Sequence, residues 1–237
     1  MMFMKKRKKK VADTVGRKLI TVVNPLAVIS EQFKTIRTNI NFSTPDKDLK
    51  TMVITSSVPS EGKSTVSSNV AVVFSQEGKR VLLVDADMRK PTVHHTFNLP
   101  NTSGLANVLT RQATIDEVIQ DSCIEGLKIM TCGPIPPNPA ELLASQMMTT
   151  VMNDLVSRFD VIIFDAPPIL SVTDAQILGN KCDGAIIVAN TGVVEKAAVL
   201  KSKELLMASQ AKILGVVLNN YKLERDHYYY KYYASVE

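Results

Sequence analysis

The chain has 237 residues, of which 45% are hydrophobic, so it is long enough to bury a sizeable core within one large α/β domain. Residues 5–10 alone carry six positive charges, more than the net charge of +5, and the nearly neutral remainder argues against nucleic acid as a partner. Three cysteines without CxxC spacing and three scattered histidines argue against a disulfide framework and a zinc site.

The N-terminal segment, residues 1–24, is expected to be basic and flexible. A run of like charges is usually a solvated tail. Contact with anionic lipid is the alternative, since each basic residue near such a surface contributes about 1 kcal/mol before the entropy of ordering is subtracted. We expect neither a signal peptide nor a membrane span, because no apolar run approaches ~18 residues. The cysteine usage favours a reducing, cytoplasmic location.

A helix is predicted over residues 30–42, because Phe33, Ile36 and Ile40 recur at the spacing of one helical face. Three charged residues follow one another along this helix at i, i+3 and i+6: Glu31, Lys34 and Arg37. Such a stripe is normally solvated. It could instead dock on an oppositely charged patch of another subunit. A polar turn at residues 45–48 follows.

A phosphate-binding loop is predicted between a strand at residues 52–55 and a helix at 66–76. Its backbone N–H groups and the helix N-terminus favour bound phosphate, and Lys63 can reach the β- and γ-phosphates of ATP. The usual pattern opens with glycine, where this chain has Ser57. An ordinary turn before a capped helix is the alternative. The residues expected to bind nucleotide here are Ser57, Pro59, Ser60, Glu61, Gly62, Lys63, Ser64 and Thr65.

Further strands and helices alternate along the rest of the chain. Strands are predicted at residues 80–84, 127–130 (the third strand), 161–164, 185–189 and 213–218, the last two buried. Helices are predicted at residues 105–109, 115–120, 140–158 and 194–209. The proline-rich stretch at 133–139 is expected to be a loop without regular structure. Apolar strands that alternate with helices predict a doubly wound, mostly parallel sheet of the phosphate-loop NTPase type, with helices on both faces.

Carboxylates follow two of these strands directly: Asp85 and Asp87 after the second strand and Asp165 after 161–164. The carboxyl ends of parallel strands share one sheet edge, so these side chains should meet the phosphate loop there. Ser64 and Asp165 are expected to organise Mg²⁺, and Asp85 is a third candidate for this role. Asp85 or Asp87 would accept a proton, and the sequence does not separate their roles. Arg89 is a candidate phosphate contact, and Asn219 and Asn220 are weak candidates for adenine.

The C-terminal segment, residues 223–237, holds five of the six tyrosines. They are Tyr228, Tyr229, Tyr230, Tyr232 and Tyr233. Chain ends are usually mobile, so these phenols are expected to be exposed. One interpretation is a sticky aromatic tail that mediates assembly. A phosphate-transfer site beside a mobile run of phenols indicates instead that the tail is the substrate.

The runs DADMRKP at 85–91 and GPIPPNPAELLAS at 133–145, with the terminal tyrosines, resemble the bacterial tyrosine kinases of capsule and exopolysaccharide systems. The similarity extends from about residue 25 to the tyrosines. The nucleotide motifs of that family correspond to residues 57–65, 81–89 and 161–168. Its Glu-x-x-Arg-x-x-Arg helix motif, associated with ring assembly, corresponds to Glu31, Lys34 and Arg37, with Lys34 in place of an arginine.

This resemblance implies a kinase domain over residues 25–222 that transfers phosphate from ATP, with Mg²⁺, to the tail, between subunits of a ring. It also implies a transmembrane polysaccharide-copolymerase activator that recruits the kinase to the inner face of the plasma membrane, and a tyrosine phosphatase. Two alternatives remain. One is a nucleotide-switched scaffold or partitioning-type ATPase, although these usually carry lysine where this chain has Val58. The other is a regulator that binds ATP only as a switch.

Overall fold

The computed structural model describes residues 19–43 and 49–221. Residues 1–18 of the predicted flexible segment, the polar turn at 45–48 and the tyrosine cluster lie outside the described residues. The described end of that segment contains a short helix over Ile20–Val23, with Thr21 buried, where a flexible chain was expected. In the described part, seven strands form one sheet in the order β3-β4-β2-β5-β1-β6-β7. All neighbouring strands are parallel except β3 and β4. The strands are β1 (Thr51–Ser56), β2 (Val81–Asp85), β3 (Ile119–Asp121), β4 (Leu127–Met130), β5 (Val161–Asp165), β6 (Gly184–Asn190) and β7 (Ile213–Asn219).

Ten helices of the described residues connect these strands or precede them. They are α1 (Ile20–Val23), α2 (Val28–Phe42), α3 (Lys63–Ser75), α4 (Val93–Phe97), α5 (Leu105–Leu109), α6 (Ile115–Val118), α7 (Pro139–Ala144), α8 (Gln146–Arg158), α9 (Asp174–Lys181) and α10 (Lys196–Ala208). In residues 19–43 and 49–221, none of the helices has the length and apolar character needed to cross a membrane.

Helices cover both faces of the sheet, so its central strands are buried on either side. Successive residues of β5, such as Ile162 and Ile163, point into opposite cores because side chains alternate along a strand. One core includes Phe33 of α2 and Val70 of α3. The other includes Leu155 of α8 and residues of α5, α7, α9 and α10. The predicted doubly wound, mostly parallel fold is confirmed.

The prediction of one helix over 115–120 was wrong at its end. Helix α6 stops at Val118, and residues 119–121 form β3, which pairs antiparallel with β4. Strand 127–130 is therefore the fourth in chain order rather than the third. Ile119 has an extended backbone with φ −78° and ψ 121°, and its pairing with Met130 across the sheet replaces the next helical turn.

Two predictions around residues 133–158 were also wrong. Helix α7 begins at Pro139, inside the predicted loop, because proline at the first helical position loses no hydrogen bond that the helix would have made. The predicted helix 140–158 is two helices. Ser145 separates them with an extended backbone (φ −64°, ψ 159°), and its hydroxyl accepts a hydrogen bond from the N–H of Met148 at 3.2 Å.

The prediction that strand 213–218 is buried was wrong, because among the described strands β7 lies at the edge of the sheet and pairs with β6 alone. Val216 and Leu218 are 47% and 56% exposed. Strand β6, by contrast, is buried along nearly its whole length, as predicted. An uninterrupted apolar run is compatible with either position, so only the order of strands in the sheet distinguishes them.

Candidate active site

The loop between β1 and α3 has the backbone of a phosphate-binding loop. Gly62 precedes the helix with φ 90°, a left-handed conformation that favours glycine. A Cβ at this position would also collide with the side-chain amide of Asn219. Ser60 has φ 68°, which is unusual for a residue with a side chain.

Three carboxylates meet the loop lysine at the carboxyl ends of the central strands. Asp85 and Asp165 stand opposite each other in the pairing of β2 with β5, and both are fully buried. The Lys63 ammonium lies 2.8 Å from an oxygen of Asp87 and 3.5 Å from one of Asp165. The Ser64 hydroxyl donates to Asp165 at 2.5 Å. The predicted convergence of these residues is confirmed, although Asp165 is 102 residues from Lys63 along the chain.

The pKa values in this group reflect burial and mutual charge. Burial is the main cause that raises the pKa of Asp85 to about 8, and the charge of Asp165 is the second. The pKa of Asp165 is also raised by burial, against the opposing effects of Lys63 and of the hydrogen bond from Ser64. Burial alone would lower the pKa of Lys63, but the charges of Asp165 and Asp87 outweigh it and raise that pKa. Lys63 is therefore held as a cation, and the two buried carboxyls near it, Asp85 and Asp165, have raised pKa values.

Asp85 and Asp87 have different surroundings, which the sequence did not separate. One Asp85 oxygen accepts from the N–H groups of Thr92 and Val93, each at 2.9 Å, at the start of α4. Its other oxygen accepts from the N–H of Asp87 at 3.3 Å. One oxygen of Asp87 accepts from the N–H of Lys90, and the other faces Lys63. Asp85 thus accepts hydrogen bonds from the backbone, whereas Asp87 forms an ion pair with Lys63.

A cavity of about 450 Å³ opens in front of the loop. Asp87 forms part of its wall, and Pro167 and Pro168 after β5 form another part. The wall contributed by the loop and the start of α3 consists of Pro59, Ser60, Gly62, Lys63, Ser64 and Thr65. Six of the eight loop residues predicted to bind nucleotide therefore line one cavity. The other two, Ser57 and Glu61, are fully buried.

Arg89 lines this cavity, but its guanidinium is already paired. Its Nε and one terminal nitrogen each lie 3.0 Å from an oxygen of Asp174, which is fully buried. The hydrogen bonds that Arg89 donates to Asp174 raise the pKa of Arg89 above its ordinary value. Sequence reasoning missed Asp174. The only available signal was an acidic residue after a loop, at the start of a helix that was itself not predicted.

The predicted interface residues on α2 are partly engaged within the chain. The Lys34 ammonium lies 2.6 Å from a carboxylate oxygen of Glu31. Arg37 donates to the carbonyl of Val73 in α3 at 2.9 Å, and its Nε lies 3.6 Å from Glu77. Arg37 therefore stabilises the packing of α2 on α3, while Glu31 and Lys34 form an ion pair at the surface.

The residues present fit a magnesium ion that arrives with a nucleotide. In the part of the chain that the structure describes, no three Asp, Glu, His or Cys side chains are grouped so that they could hold a metal by themselves. Mg²⁺ is commonly bound by one or two carboxylates together with substrate phosphates and water. Asp165 and the Ser64 hydroxyl, 2.5 Å apart beside the phosphate loop, match that pattern.

Comparison with known proteins gives consistent relatives. Residues 49–233 match the family model described as ParA, NUBPL iron-transfer P-loop NTPase. The chain is 48% identical to the tyrosine-protein kinase YwqD of Bacillus subtilis over 92% of each chain. It is 42% identical to the putative tyrosine-protein kinase CapB of Staphylococcus aureus, over 89% of this chain and 92% of that one. The crystal structure of the chimerical protein CapA2B2 superposes with a TM-score of 0.84 and 40% identity, and covers 91% of this chain and 100% of its own.

Proposed function

Since this chain belongs to the bacterial tyrosine kinases, within the ParA-type P-loop NTPases, we propose that it transfers the γ-phosphoryl group of MgATP to tyrosine. One observation carries the proposal: Lys63, at the phosphate loop, contacts both Asp87 and Asp165 beside the same cavity. Phosphoryl transfer depends on positioning and charge stabilisation, and a cation and carboxylates fixed on rigid strand ends provide both.

Lys63 and the loop amides act on the phosphates. The ammonium of Lys63 stabilises negative charge on the transferring group, and the N–H groups of Gly62, Ser64 and Thr65 add oriented dipoles. These amides lie at the N-terminus of α3, where the helix dipole also favours anions. Ser64 and Asp165 would hold Mg²⁺, which when bound neutralises phosphate charge. To contact phosphate, Lys63 gives up part of its pairing with Asp87.

Asp87 is the better candidate to receive the proton of the attacking phenol. A free phenol has a pKa near 10, so its attack at neutral pH needs a positioned base or a metal. Asp87 lines the cavity, and its pairing oxygen becomes available when Lys63 turns to the phosphates. Asp85 is fully buried, does not line that cavity and already accepts three backbone N–H groups.

The proposed acceptors are the five tyrosines of the C-terminal segment in an adjoining subunit of a ring, and the proposed role is control of capsule or exopolysaccharide synthesis and export. The support is the tyrosine cluster and the family resemblance. On the same grounds we propose a transmembrane polysaccharide-copolymerase partner that recruits the kinase from the cytoplasm to the inner face of the plasma membrane. A tyrosine phosphatase would remove the phosphate from tyrosine by hydrolysis. Glu31 and Lys34 would belong to the contact between subunits.

Incubation of the purified chain with γ-labelled ATP and Mg²⁺ tests the proposal. Label on tyrosine supports the kinase. Release of free phosphate without protein label supports the scaffold or partitioning-type ATPase, and bound nucleotide without turnover supports the switch. The sequence already weighs against a partitioning-type ATPase, because Val58 stands where such proteins usually carry a second lysine. Phosphoamino-acid analysis of the labelled chain separates tyrosine from serine and threonine.

A further inference from the structure

Four residues form a closed ring of hydrogen bonds behind the phosphate loop. The ring residues are Glu61, Asn190, Asn219 and Asn220. The Asn219 amide donates to the Glu61 carbonyl at 2.8 Å and accepts from the N–H of Asn220 at 3.0 Å. The Asn220 side chain donates to that of Asn190 at 3.0 Å, and the N–H of Asn190 donates to the Glu61 carboxylate at 3.1 Å. The ring joins the loop to the ends of β6 and β7.

Glu61 is an unusual residue to find in a loop that binds phosphate, because its charge would repel a nucleotide. Its side chain is fully buried and turned away from the cavity wall. Both carboxylate oxygens accept from the backbone: one from Asn190 and the other from Val58 at 2.8 Å. Such bonds to an ionised acceptor are among the stronger ones in proteins. The carboxylate therefore links the first half of the loop to the end of β6.

The loop needs support of this kind. Ser57 replaces the first glycine of the usual motif, and Ser60 has a positive φ that favours glycine. Backbone conformations of this sort persist when the surrounding structure fixes them. The Asn219 amide packs against Gly62, where any Cβ would collide with it. Within the ring, its nitrogen donates one hydrogen bond and its oxygen accepts one.

We infer that Glu61 and Asn219 are positioning residues, which hold the phosphate loop in its nucleotide-binding shape by tying it to the ends of β6 and β7. The inference rests on the proposed function. Asn219 was named from the sequence as a candidate for binding adenine. The inference gives it a different role, in supporting the loop. When the ring is opened, a smaller fraction of the molecules has a competent loop, and the apparent affinity for any nucleotide falls by that fraction.

The test compares Glu61→Gln and Asn219→Ala with the wild-type chain. Asn180→Ala is the matched control, because the Asn180 amide also donates to a backbone carbonyl, that of Ser209 at 2.9 Å, away from the loop. We expect KM for MgATP to rise about tenfold in both ring variants while kcat at saturation changes little. The ratio of ADP to GDP affinity, measured by calorimetry, should stay at the wild-type value. Asn180→Ala should have the wild-type KM, kcat and ratio of ADP to GDP affinity.

Wild-type KM in both ring variants would overturn the inference. So would a change in the ADP-to-GDP ratio in Asn219→Ala with unchanged affinity for inorganic tripolyphosphate, because that result makes Asn219 a base reader. If Glu61→Gln does not fold, two other variants decide the matter. Asn219→Ala removes the donor to the Glu61 carbonyl and the acceptor of the Asn220 N–H, and Asn220→Ala removes the donor to Asn190. The proposed function fails separately: it fails if the wild-type chain itself transfers no label to tyrosine.

Discussion

At the scale of single residues, Lys63 is the centre of the site, because it contacts two carboxylates and begins the helix that the loop precedes. The phosphate-loop motif in the sequence predicted that Lys63 would lie in the site. The motif did not predict how Asp85 and Asp87 divide their work, because that division depends on which backbone N–H groups the chain places beside each carboxylate. The partner of Arg89 was equally out of reach, since Asp174 lies 85 residues away.

Lys63→Met should abolish tyrosine phosphorylation but leave the chain folded. The substitution removes the charge that stabilises the transferring phosphoryl group but little volume, and we expect activity to fall by at least about two orders of magnitude. The buried Asp165 left behind can take up a proton, since its pKa is already raised. The measurement is phosphotyrosine formed per chain, with circular dichroism as the check on folding.

Lys128→Met is the matched control for this prediction. It also removes a lysine from an ion pair, the one with Asp121, but this pair is exposed and lies on β4 and the edge strand β3. Its activity should equal that of the wild type. Normal phosphorylation by a folded Lys63→Met chain would show that the active site has been assigned to the wrong residues.

At the scale of elements, the strands were the most predictable part of the chain. The phosphate loop and the strands ending in Asp85 and Asp165 were found because short apolar runs bounded by polar residues have few other solutions in a covered sheet. Helix ends were less predictable. Residues 140–158 keep a helical pattern straight through Ser145, and periodicity alone does not reveal one extended residue.

Ser145→Ala should lower the free energy of unfolding by about 1 kcal/mol, because the hydroxyl caps α8 by accepting from the N–H of Met148. Kinase activity should not change. Ser157→Ala is the control on the same helix. Its exposed hydroxyl donates back to the carbonyl of Asp154, and alanine has the higher helix propensity, so stability should stay the same or rise slightly. Urea unfolding measures both, and equal losses in the two variants would exclude a capping role for Ser145.

At the scale of the whole molecule, the sheet explains why distant residues form one site. The parallel order places the ends of β1, β2 and β5 side by side, and the pairing of β2 with β5 sets Asp85 opposite Asp165. This much followed from β-α alternation alone. The position of β7 at the edge did not, because strand order is determined by packing between elements rather than by the composition of any one of them.

The charged surface of α2 concerns the assembly of several chains. The resemblance associates Glu31, Lys34 and Arg37 with a ring of subunits, and Arg37 also holds α2 on α3 within one chain. Head-to-tail contacts that close into a ring make each site face its neighbour. Since an extended chain spans ~3.3 Å per residue, we expect the segment after β7 to reach a neighbouring site as well as its own.

We therefore predict that unphosphorylated chains form a closed ring and that phosphorylation of the tail loosens it. Each phosphotyrosine adds about −1.5 to −2 charges at pH 7. A multiply phosphorylated tail should be repelled from a neighbouring site that already contains Asp85, Asp87, Asp165 and the phosphates of ATP. Light scattering compares the phosphorylated chain with a variant that has phenylalanine at all five tail tyrosines. Phenylalanine keeps the aromatic side chain but has no hydroxyl to accept phosphate. The phosphorylated chain should have the smaller mass, and equal masses would contradict the coupling between tail and ring, whatever that single mass was.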